Sequence, residues 1–164
     1  MDLAPIFTPY SFQAAREIAR AGGKFLVVDV MATWCGPCKE MDRTTFRDDS
    51  VVTWVRSHAI AIQVDAQKER EVASALGVRA FPTIVAWRDG RILGSAVGYQ
   101  SAESLLDWLE FVRTGETASQ RLRRSVNREH DMEGRLRFAR ALLREGHLDE
   151  ALEEYIWLWE NGTK

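Results

Sequence analysis

Two cysteines, Cys35 and Cys38, are the residues whose type and spacing point most directly to chemistry. They are the only cysteines in the chain. A bond between them would close a ring too short to stabilise the fold appreciably, because disulfide stabilisation grows with the length of the loop that is closed. The pair therefore indicates a chemical role. Two thiols at this spacing can cycle between a dithiol and a disulfide, or they can supply half of a zinc site.

The elements around the pair determine how the thiols would react. The apolar, β-branched run at 25–31 predicts a strand buried on both faces, and a helix is expected to begin at Cys35 with Pro37 in its first turn. A helix N-terminus stabilises a thiolate through its free N–H groups and its dipole. Cys35 is therefore expected to attack a disulfide. Cys38, one turn in and more buried, is expected to resolve the mixed disulfide.

The zinc alternative needs four ligands, and the remaining candidates are three scattered histidines: His58, His130 and His147. Redox chemistry is favoured by the residues that flank the cysteines: Trp34, Gly36 and Pro37. The sequence therefore predicts a dithiol–disulfide centre with no metal and no cofactor.

The rest of the first two thirds of the chain alternates helical and strand patterns. Helices are predicted at 11–21, 48–57, 68–76 and 101–112. Further strands are predicted at 59–65, 83–87 and 91–97. Asp89-Gly90 lies between the last two strands and predicts a hairpin turn, since glycine tolerates positive φ. This order predicts an α/β fold with a central mixed sheet and helices on both faces.

The composition changes after these elements. Residues 114–131 are polar and predict a linker or a solvated connecting helix, with a basic cluster at Arg121, Arg123, Arg124 and Arg128. Helical patterns at 133–145 and 149–160, joined at Gly146-His147, predict a C-terminal α-helical hairpin. The predicted division is a first domain at 1–113, a linker at 114–131 and the hairpin at 132–164.

The hairpin has the length and pattern of one tetratricopeptide-type unit. Apolar or small residues stand where that repeat requires them: Phe138, Ala139, Leu142, Leu148, Ala151 and Tyr155. A generic helical cap on the first domain fits the same pattern, so both interpretations stay open. One such unit cannot bury its own apolar face. The apolar residues at 156–159 are therefore expected to pack on the first domain, on another copy or on a protein partner.

Charge and hydropathy exclude several classes of function. The formal net charge of −2 and the pI near 6.0 predict no bulk attraction to nucleic acid or to anionic membranes. No apolar run approaches the roughly 20 residues of a membrane span. The first residues lack the basic and apolar regions of a secretory signal, so the expected location is the cytoplasm, although an exported protein without its signal would look the same.

The segment Trp34-Cys35-Gly36-Pro37-Cys38-Lys39, the strand before it and Phe81-Pro82-Thr83 resemble the thioredoxin family over about residues 10–113. The resemblance implies a thioredoxin fold and a thiol–disulfide oxidoreductase. It implies that Asp29 is a buried acid that assists deprotonation of Cys38. It also implies that Pro82 is cis and lies against the cysteine pair, where the backbone at 80–81 would pair with a substrate strand.

The same resemblance implies a set of substrate-binding residues around the catalytic ones. This set is Trp34, Gly36, Pro37, Phe81 and Gly98, the last of which would leave room beside the site. Plainer roles remain open for three residues. Asp29 could be an exposed acid at a strand end, Pro82 an ordinary turn proline, and Trp34 a packing residue.

The chain also departs from the family pattern. Val30 and Met31 stand where an aromatic pair is usual, and Ala61 stands where a lysine near the buried acid is usual. Without that counter-charge, Asp29 is expected to be protonated more easily. The segment Met41–Asp48 is more similar to the thioredoxin-like branch that includes the terminal reductase domain of DsbD. A client-directed relative is therefore favoured over a general-purpose thioredoxin.

The implied activity is reduction of disulfides in protein substrates, with electrons from an upstream donor such as thioredoxin reductase. Two alternatives stay open. One is a client-binding adaptor or co-chaperone with idle cysteines, which would also use the C-terminal helices to bind a protein partner. The other is an oxidase or isomerase, since the surrounding redox couple decides the direction of electron flow.

Overall fold

The structure is a computed structural model that describes residues 4–124, 126 and 131–162. The chain divides into two compact units, Met1–Val112 and Arg113–Lys164. No helix in the described ranges is long and apolar enough to cross a membrane.

The first unit alternates helices and strands in the predicted order. Its strands are β1 (Phe25–Met31), β2 (Ala59–Asp65), β3 (Thr83–Arg88) and β4 (Arg91–Val97). Its helices are α1 (Phe12–Ala21), α2 (Gly36–Arg43), α3 (Asp49–His58), α4 (Arg70–Ala75) and α5 (Ala102–Thr114). A 3₁₀ turn at Thr45–Arg47 follows α2.

The strands described here form one mixed sheet in the order β2-β1-β3-β4. β1 pairs in parallel with β2 and antiparallel with β3, and β3 and β4 form an antiparallel hairpin. The hairpin turns at Asp89 and Gly90, which have φ values of 50° and 83°. These left-handed values are those that an Asp-Gly turn favours. The predicted hairpin and mixed sheet are confirmed.

Each face of the sheet carries its own apolar core, because successive residues of a strand point to opposite faces. On one face, Phe25 and Val27 of β1 belong to a core cluster with residues of α2, α3 and α5. On the other face, Leu26, Val28 and Val30 belong to a cluster with residues of α1 and α4. The alternation places Asp29 on the same face as Phe25 and Val27, the face covered by α2.

Helix α4 is shorter than the predicted 68–76. A turn around Asp65 delays its start: the Asp65 carbonyl accepts from the N–H groups of Lys68 and Glu69, and its carboxylate accepts from Gln67 N at 3.0 Å. These bonds hold the chain in a non-helical turn until Arg70, since an aspartate side chain that bonds its own backbone competes with helix formation.

The second unit contains the helices α6 (Ala118–Arg123), α7 (Met132–Arg144) and α8 (Leu148–Asn161). Its described core is small and consists of Val126, Phe138, Leu142 and Ala151, with Leu122 and Tyr155 packed against it. The turn between α7 and α8 contains Gly146 at φ 83°. The predicted helical hairpin is present. Its tetratricopeptide character and the division into 1–113, 114–131 and 132–164 stay predictions.

Arg123 and Arg124 of the basic cluster are exposed, as predicted, and the cluster also makes polar contacts. Arg124 pairs with Glu116, Arg123 pairs with Glu150, and Arg121 donates to the Glu116 carbonyl at 2.6 Å. The side chains of Arg123 and Arg124 stay 60% and 70% exposed, so these ion pairs lie on a solvated surface. Arg128, the fourth member of the cluster, lies outside the described residues.

Candidate active site

The two cysteines form a disulfide where the segment after β1 enters α2. Cys35 is the N-cap of the helix, with extended backbone angles, and its Sγ accepts a hydrogen bond from Cys38 N at 3.2 Å. Pro37 occupies the first turn, where its missing N–H removes no helical hydrogen bond. The helix therefore directs its free N–H end at the sulfur of Cys35.

The two cysteines are almost equally buried in the disulfide form. Cys35 is 3% exposed and Cys38 is 1% exposed, in a small apolar cluster with Ala32, Met31 and Phe81. The expected difference in burial is therefore slight. The feature that separates them is the N–H of Cys38 directed at Cys35 Sγ, which would favour a thiolate on Cys35 once the disulfide is reduced.

An aromatic pair and a cis proline lie close to the disulfide. The Phe81–Pro82 peptide bond is cis, as the sequence resemblance implies, and Pro82 is buried. Trp34 is 67% exposed and meets Phe81 edge to face, with ring centroids 6.0 Å apart. Most of the surface of Trp34 is therefore open to solvent. The Thr83 hydroxyl closes the turn by donating to the Ala80 carbonyl at 2.8 Å.

Gly98 is tied to the proline loop, since its N–H donates to the Pro82 carbonyl at 2.8 Å. Its φ is 84°, and a Cβ built on it would meet no other atom within 4 Å. Backbone conformation, rather than crowding inside the chain, therefore explains this glycine. Gly36 and Pro37 are also exposed, and a Cβ on Gly36 would meet nothing within 4 Å.

Asp29 is only 1% exposed, so the exposed-acid alternative is wrong. Its parallel partner across to β2 is Gln63, whose Nε2 donates to Asp29 Oδ2 at 3.0 Å and to Asp42 Oδ1 at 2.9 Å. Asp29 Oδ1 is buried and accepts no hydrogen bond from the described part of the chain.

The environment of Asp29 raises its pKa to about 7. Burial is the main cause, the hydrogen bond from Gln63 opposes it, and the nearby Asp42 carboxylate adds to it. The expectation that Asp29 is easily protonated is thus confirmed. Ala61, which stands where the family usually has a lysine, is buried and pairs with Val27 in the sheet register.

Sequence reasoning missed Gln63 and Asp42. Gln63 was one polar position in a predicted strand, and Asp42 followed the cysteines in a helix. A usable signal was present: Asp42 lies four residues after Cys38, on the same side of a helix, and Gln63 shares its strand face with Ala61. Their approach to Asp29 depends on the β1–β2 register and on how α2 packs, which the sequence did not specify.

The histidines of the zinc alternative have other contacts. His58 Nδ1 donates to the Trp54 carbonyl at 2.9 Å, with the two rings 4.7 Å apart, and His147 lies 3.9 Å from Glu145. His130 lies outside the described residues. The described residues contain no group of three or more His, Cys, Asp or Glu side chains that could hold a metal ion.

Residues 12–113, most of the first unit, match the family model of the thioredoxin-like domain. The chain belongs to the thioredoxin-like family. Membership makes it a thiol–disulfide oxidoreductase in kind, with the disulfide of Cys35 and Cys38 as its redox pair. Helices α6–α8 lie beyond the matched residues.

Known relatives agree with this assignment. Thioredoxin-1 of Drosophila melanogaster is 39% identical over 83 residues, 51% of this chain and 75% of that protein. Thioredoxin Asp f 29 of Aspergillus fumigatus is 35% identical over 83 residues, 51% of this chain and 74% of that protein.

Solved structures support the same fold. A thioredoxin from Thermus thermophilus matches with a TM-score of 0.59 at 22% identity, over 64% of this chain and 85% of that chain. A poplar thioredoxin h matches with a TM-score of 0.55 at 21% identity, over 65% and 92%. At these identities the structural likeness concerns the fold alone.

Proposed function

We propose that this thioredoxin-like protein reduces disulfide bonds in other proteins through a dithiol–disulfide cycle of Cys35 and Cys38. The observation that carries the proposal is the placement of this pair at the N-terminal end of α2, with an N–H directed at Cys35 Sγ. That placement favours the thiolate that disulfide exchange requires.

The reduced protein would act in two exchange steps. The Cys35 thiolate attacks one sulfur of the substrate disulfide, a mixed disulfide forms, and the other substrate sulfur leaves as a thiolate that takes up a proton. Cys38 then gives its proton to Asp29 and attacks Cys35 Sγ. The Cys35–Cys38 disulfide forms, the bond from Cys35 Sγ to the substrate breaks, and the second substrate sulfur leaves as a thiolate that takes up a proton. The two electrons of the Cys35–Cys38 dithiol are then in the substrate dithiol. A dithiol donor such as thioredoxin reductase would restore the reduced pair.

Several features beside the disulfide fit a protein substrate. The exposed ring of Trp34 and the half-buried ring of Phe81 supply apolar contact surface, and the cis Pro82 directly follows Phe81, which packs against the cysteine cluster. Gly36, Pro37 and Gly98 leave open space near these rings. A substrate segment could approach the disulfide there without displacing other side chains. The proposed location remains the cytoplasm.

Replacement of each cysteine tests the cycle. Cys35→Ser should abolish the acceleration of insulin reduction by dithiothreitol, because the attacking sulfur is gone. Cys38→Ser should still attack but fail to resolve, so a substrate adduct should accumulate that dithiothreitol releases. The double variant is the control and should trap nothing. The reductase proposal fails if Cys38→Ser traps no substrate under conditions in which the equivalent variant of a known thioredoxin does.

The direction of electron flow has its own measurement. The Gly-Pro pair between the cysteines is typical of reducing thioredoxins, so we expect a reduction potential of about −270 mV for the Cys35–Cys38 pair. A value well above about −200 mV would favour an oxidase or isomerase instead.

A second candidate function, a client-binding adaptor, is favoured by the surface of α8. Leu148, Leu152, Ile156 and Trp159 are each about half exposed or more and recur at helical spacing, so they form one apolar stripe. A stripe of this kind can bind a protein partner. Partners that co-purify equally with the wild type and with the double cysteine variant would support the adaptor function.

A further inference from the structure

Three side chains from three elements form a continuous hydrogen-bonded bridge beneath α2. Gln63 of β2 donates one amide hydrogen to Asp29 of β1 and the other to Asp42 of α2, at 3.0 and 2.9 Å. Ionised carboxylates only accept hydrogen bonds, so the nitrogen of the Gln63 amide, not its oxygen, faces the two aspartates when both are ionised. We call this arrangement the carboxyl–amide bridge.

The bridge lies on the side of α2 that carries the resolving cysteine. Cys38 and Asp42 are four residues apart in one helix, so their side chains lie on the same face. That face packs inward, since Cys38 is 1% exposed and Met41 is fully buried. Asp42 is only partly buried and therefore connects the buried Asp29 to the solvent side of the helix.

The two oxygens of Asp29 have different surroundings. Oδ2 accepts the Gln63 N–H, whereas Oδ1 is buried and accepts no hydrogen bond from the described residues. A proton on Asp29 therefore belongs on Oδ1. Gln63 only donates to both carboxyl groups, so it carries no proton between them. Asp42 must act on Asp29 through its charge and not as a proton relay.

We propose that Gln63 and Asp42 are positioning residues for Asp29: the Gln63 amide holds Asp29 Oδ2 and links it to the Asp42 carboxylate, and this bridge sets the pH dependence of the resolving step at Cys38. The first half of the proposal concerns Asp29 alone. The second half rests on the proposed reductase function.

The groups that face Asp29 support this division of roles. From β2 it meets the uncharged Gln63, and across β3 its register partner is the apolar Ile84. From α2 the Asp42 carboxylate acts on it, and Cys38, which titrates only after the disulfide is reduced, lies one turn earlier in the same helix. The Gln63 hydrogen bond favours the ionised form of Asp29, and the Asp42 charge disfavours it.

Asp42→Asn and Gln63→Met test the two halves of the bridge. Asp42→Asn removes the charge and retains an oxygen that can accept from Gln63, so the pKa of Asp29 should fall. Gln63→Met keeps the approximate volume and removes both donors, so the pKa of Asp29 should rise. The Asp29 carboxyl carbon is followed by ¹³C NMR across the pH range in the oxidised protein, where no turnover is needed.

Glu40→Gln is the matched control, because it removes a carboxylate from the same helix, where Glu40 is paired with Arg43. It should leave the titration midpoint of Asp29 unchanged. A shift in the same direction for Asp42→Asn and Gln63→Met, no shift in either, or an equal shift in Glu40→Gln would overturn the proposal. If Gln63 and Asp42 were merely structural, their variants would change thermal stability without moving the titration midpoint of Asp29 in opposite directions.

The resolving step supplies the second readout. A mixed disulfide between Cys35 and a thiol peptide is formed, and its release by Cys38 is timed at pH 6. Asp42→Asn should accelerate release about threefold, because more Asp29 is ionised at pH 6 and can take the proton of Cys38. About threefold is the effect expected when one charge is removed at a distance of two hydrogen bonds, with screening close to that of water. If release is unchanged while the NMR midpoints move as expected, the link to the resolving step is wrong. If the wild type reduces no disulfide, the proposed function fails while the titrations still decide the role of the bridge.

Discussion

Asp29 in the first unit and Glu145 in the second both accept hydrogen bonds from neighbouring side chains, yet their pKa values are displaced in opposite directions. Burial raises the pKa of Asp29 to about 7, against the hydrogen bond from Gln63 and with the Asp42 charge. Burial also acts on Glu145, but donors on Ser119 and Thr117, together with His147, outweigh it and lower the pKa of that carboxyl. The balance between desolvation and donors decides the sign.

This contrast reflects how the two units are built. The first unit has apolar cores on both faces of its sheet and holds Asp29 inside one of them with an unpaired oxygen. The second unit has a small described core and is tied by polar contacts, such as Arg135 to Glu154 at 2.7 Å and the Thr117–Gln120 capping box. Burial in the first unit produces an acid that exchanges a proton near neutral pH. In the second unit polar pairs connect short helices, although Arg135 Nε is itself buried without a hydrogen-bond partner among the described residues.

The largest expected effect comes from Asp29→Asn. The pKa of the Asp29 carboxyl is raised from 3.8 to about 7 in the folded state, so the folded protein binds this proton more tightly than the unfolded chain does. The proton therefore stabilises the folded state at low pH, and this stabilisation is lost as the pH rises towards 7. Asparagine removes the loss. Relative to the wild type, the free energy of unfolding of the oxidised variant should rise by about 4 kcal/mol between pH 4 and pH 8. Denaturant unfolding across this range measures it.

Asp49→Asn is the control for this change, because Asp49 is an exposed carboxylate in the first turn of α3. It should show no comparable rise with pH. A stability difference between Asp29→Asn and the wild type that stays flat from pH 4 to pH 8 would remove the basis for the contrast between the two units.

Leu142→Ala should give the next largest effect. Leu142 is fully buried in α7, so its truncation should destabilise the second unit by about 3 kcal/mol through lost burial and a cavity. Hydrogen exchange of the α7 amides measures the loss. Leu143→Ala, at the 50% exposed neighbouring position, is the matched control and should cost less than about 0.5 kcal/mol.

The same variant tests whether the chemistry belongs to the first unit. The Cys35–Cys38 pair, Asp29 and Gln63 all lie within Met1–Val112. The reduction potential of Leu142→Ala should therefore equal that of the wild type. A changed reduction potential would show that the stability of the second unit is coupled to the redox pair in the first.

The sequence predicted those parts of the first unit that local pattern decides. β1 and β2 begin and end at the predicted residues, because an apolar, β-branched run bounded by turns defines a buried strand locally. The start of α2 follows from Cys35 as cap and Pro37 in the first turn. The burial of Asp29 was implied by its apolar neighbours and by the family resemblance.

The parts that sequence missed depend on contacts between distant segments. Gln63 reaches Asp29 through the register of two strands, and it reaches Asp42 through the packing of α2 on the sheet. The ion pair of Arg123 in α6 with Glu150 joins two exposed side chains from distant parts of the chain. Charge patterns within one segment could not identify these partners.

Glu145→Gln has the smallest expected effect and the opposite pH dependence to Asp29→Asn. The Glu145 carboxylate accepts from Ser119 N at 2.9 Å and from the Ser119 hydroxyl, and so ties α7 to α6. Its replacement should cost about 1 kcal/mol of unfolding free energy at pH 7.

The pH dependence of this cost follows from the lowered pKa of Glu145. A carboxyl with a lowered pKa stabilises the folded state at pH values above its ordinary pKa of 4.5, and this contribution is lost as the pH falls through the pKa of the folded state. The cost of Glu145→Gln should therefore shrink in acid. Hydrogen exchange of α6 and α7 at pH 7 and at acid pH, with the exposed Glu153→Gln as control, measures this change. A cost that persists unchanged in acid would mean that Glu145 acts through packing, and the opposite displacements of the two carboxyl groups would then have no consequence for stability in the second unit.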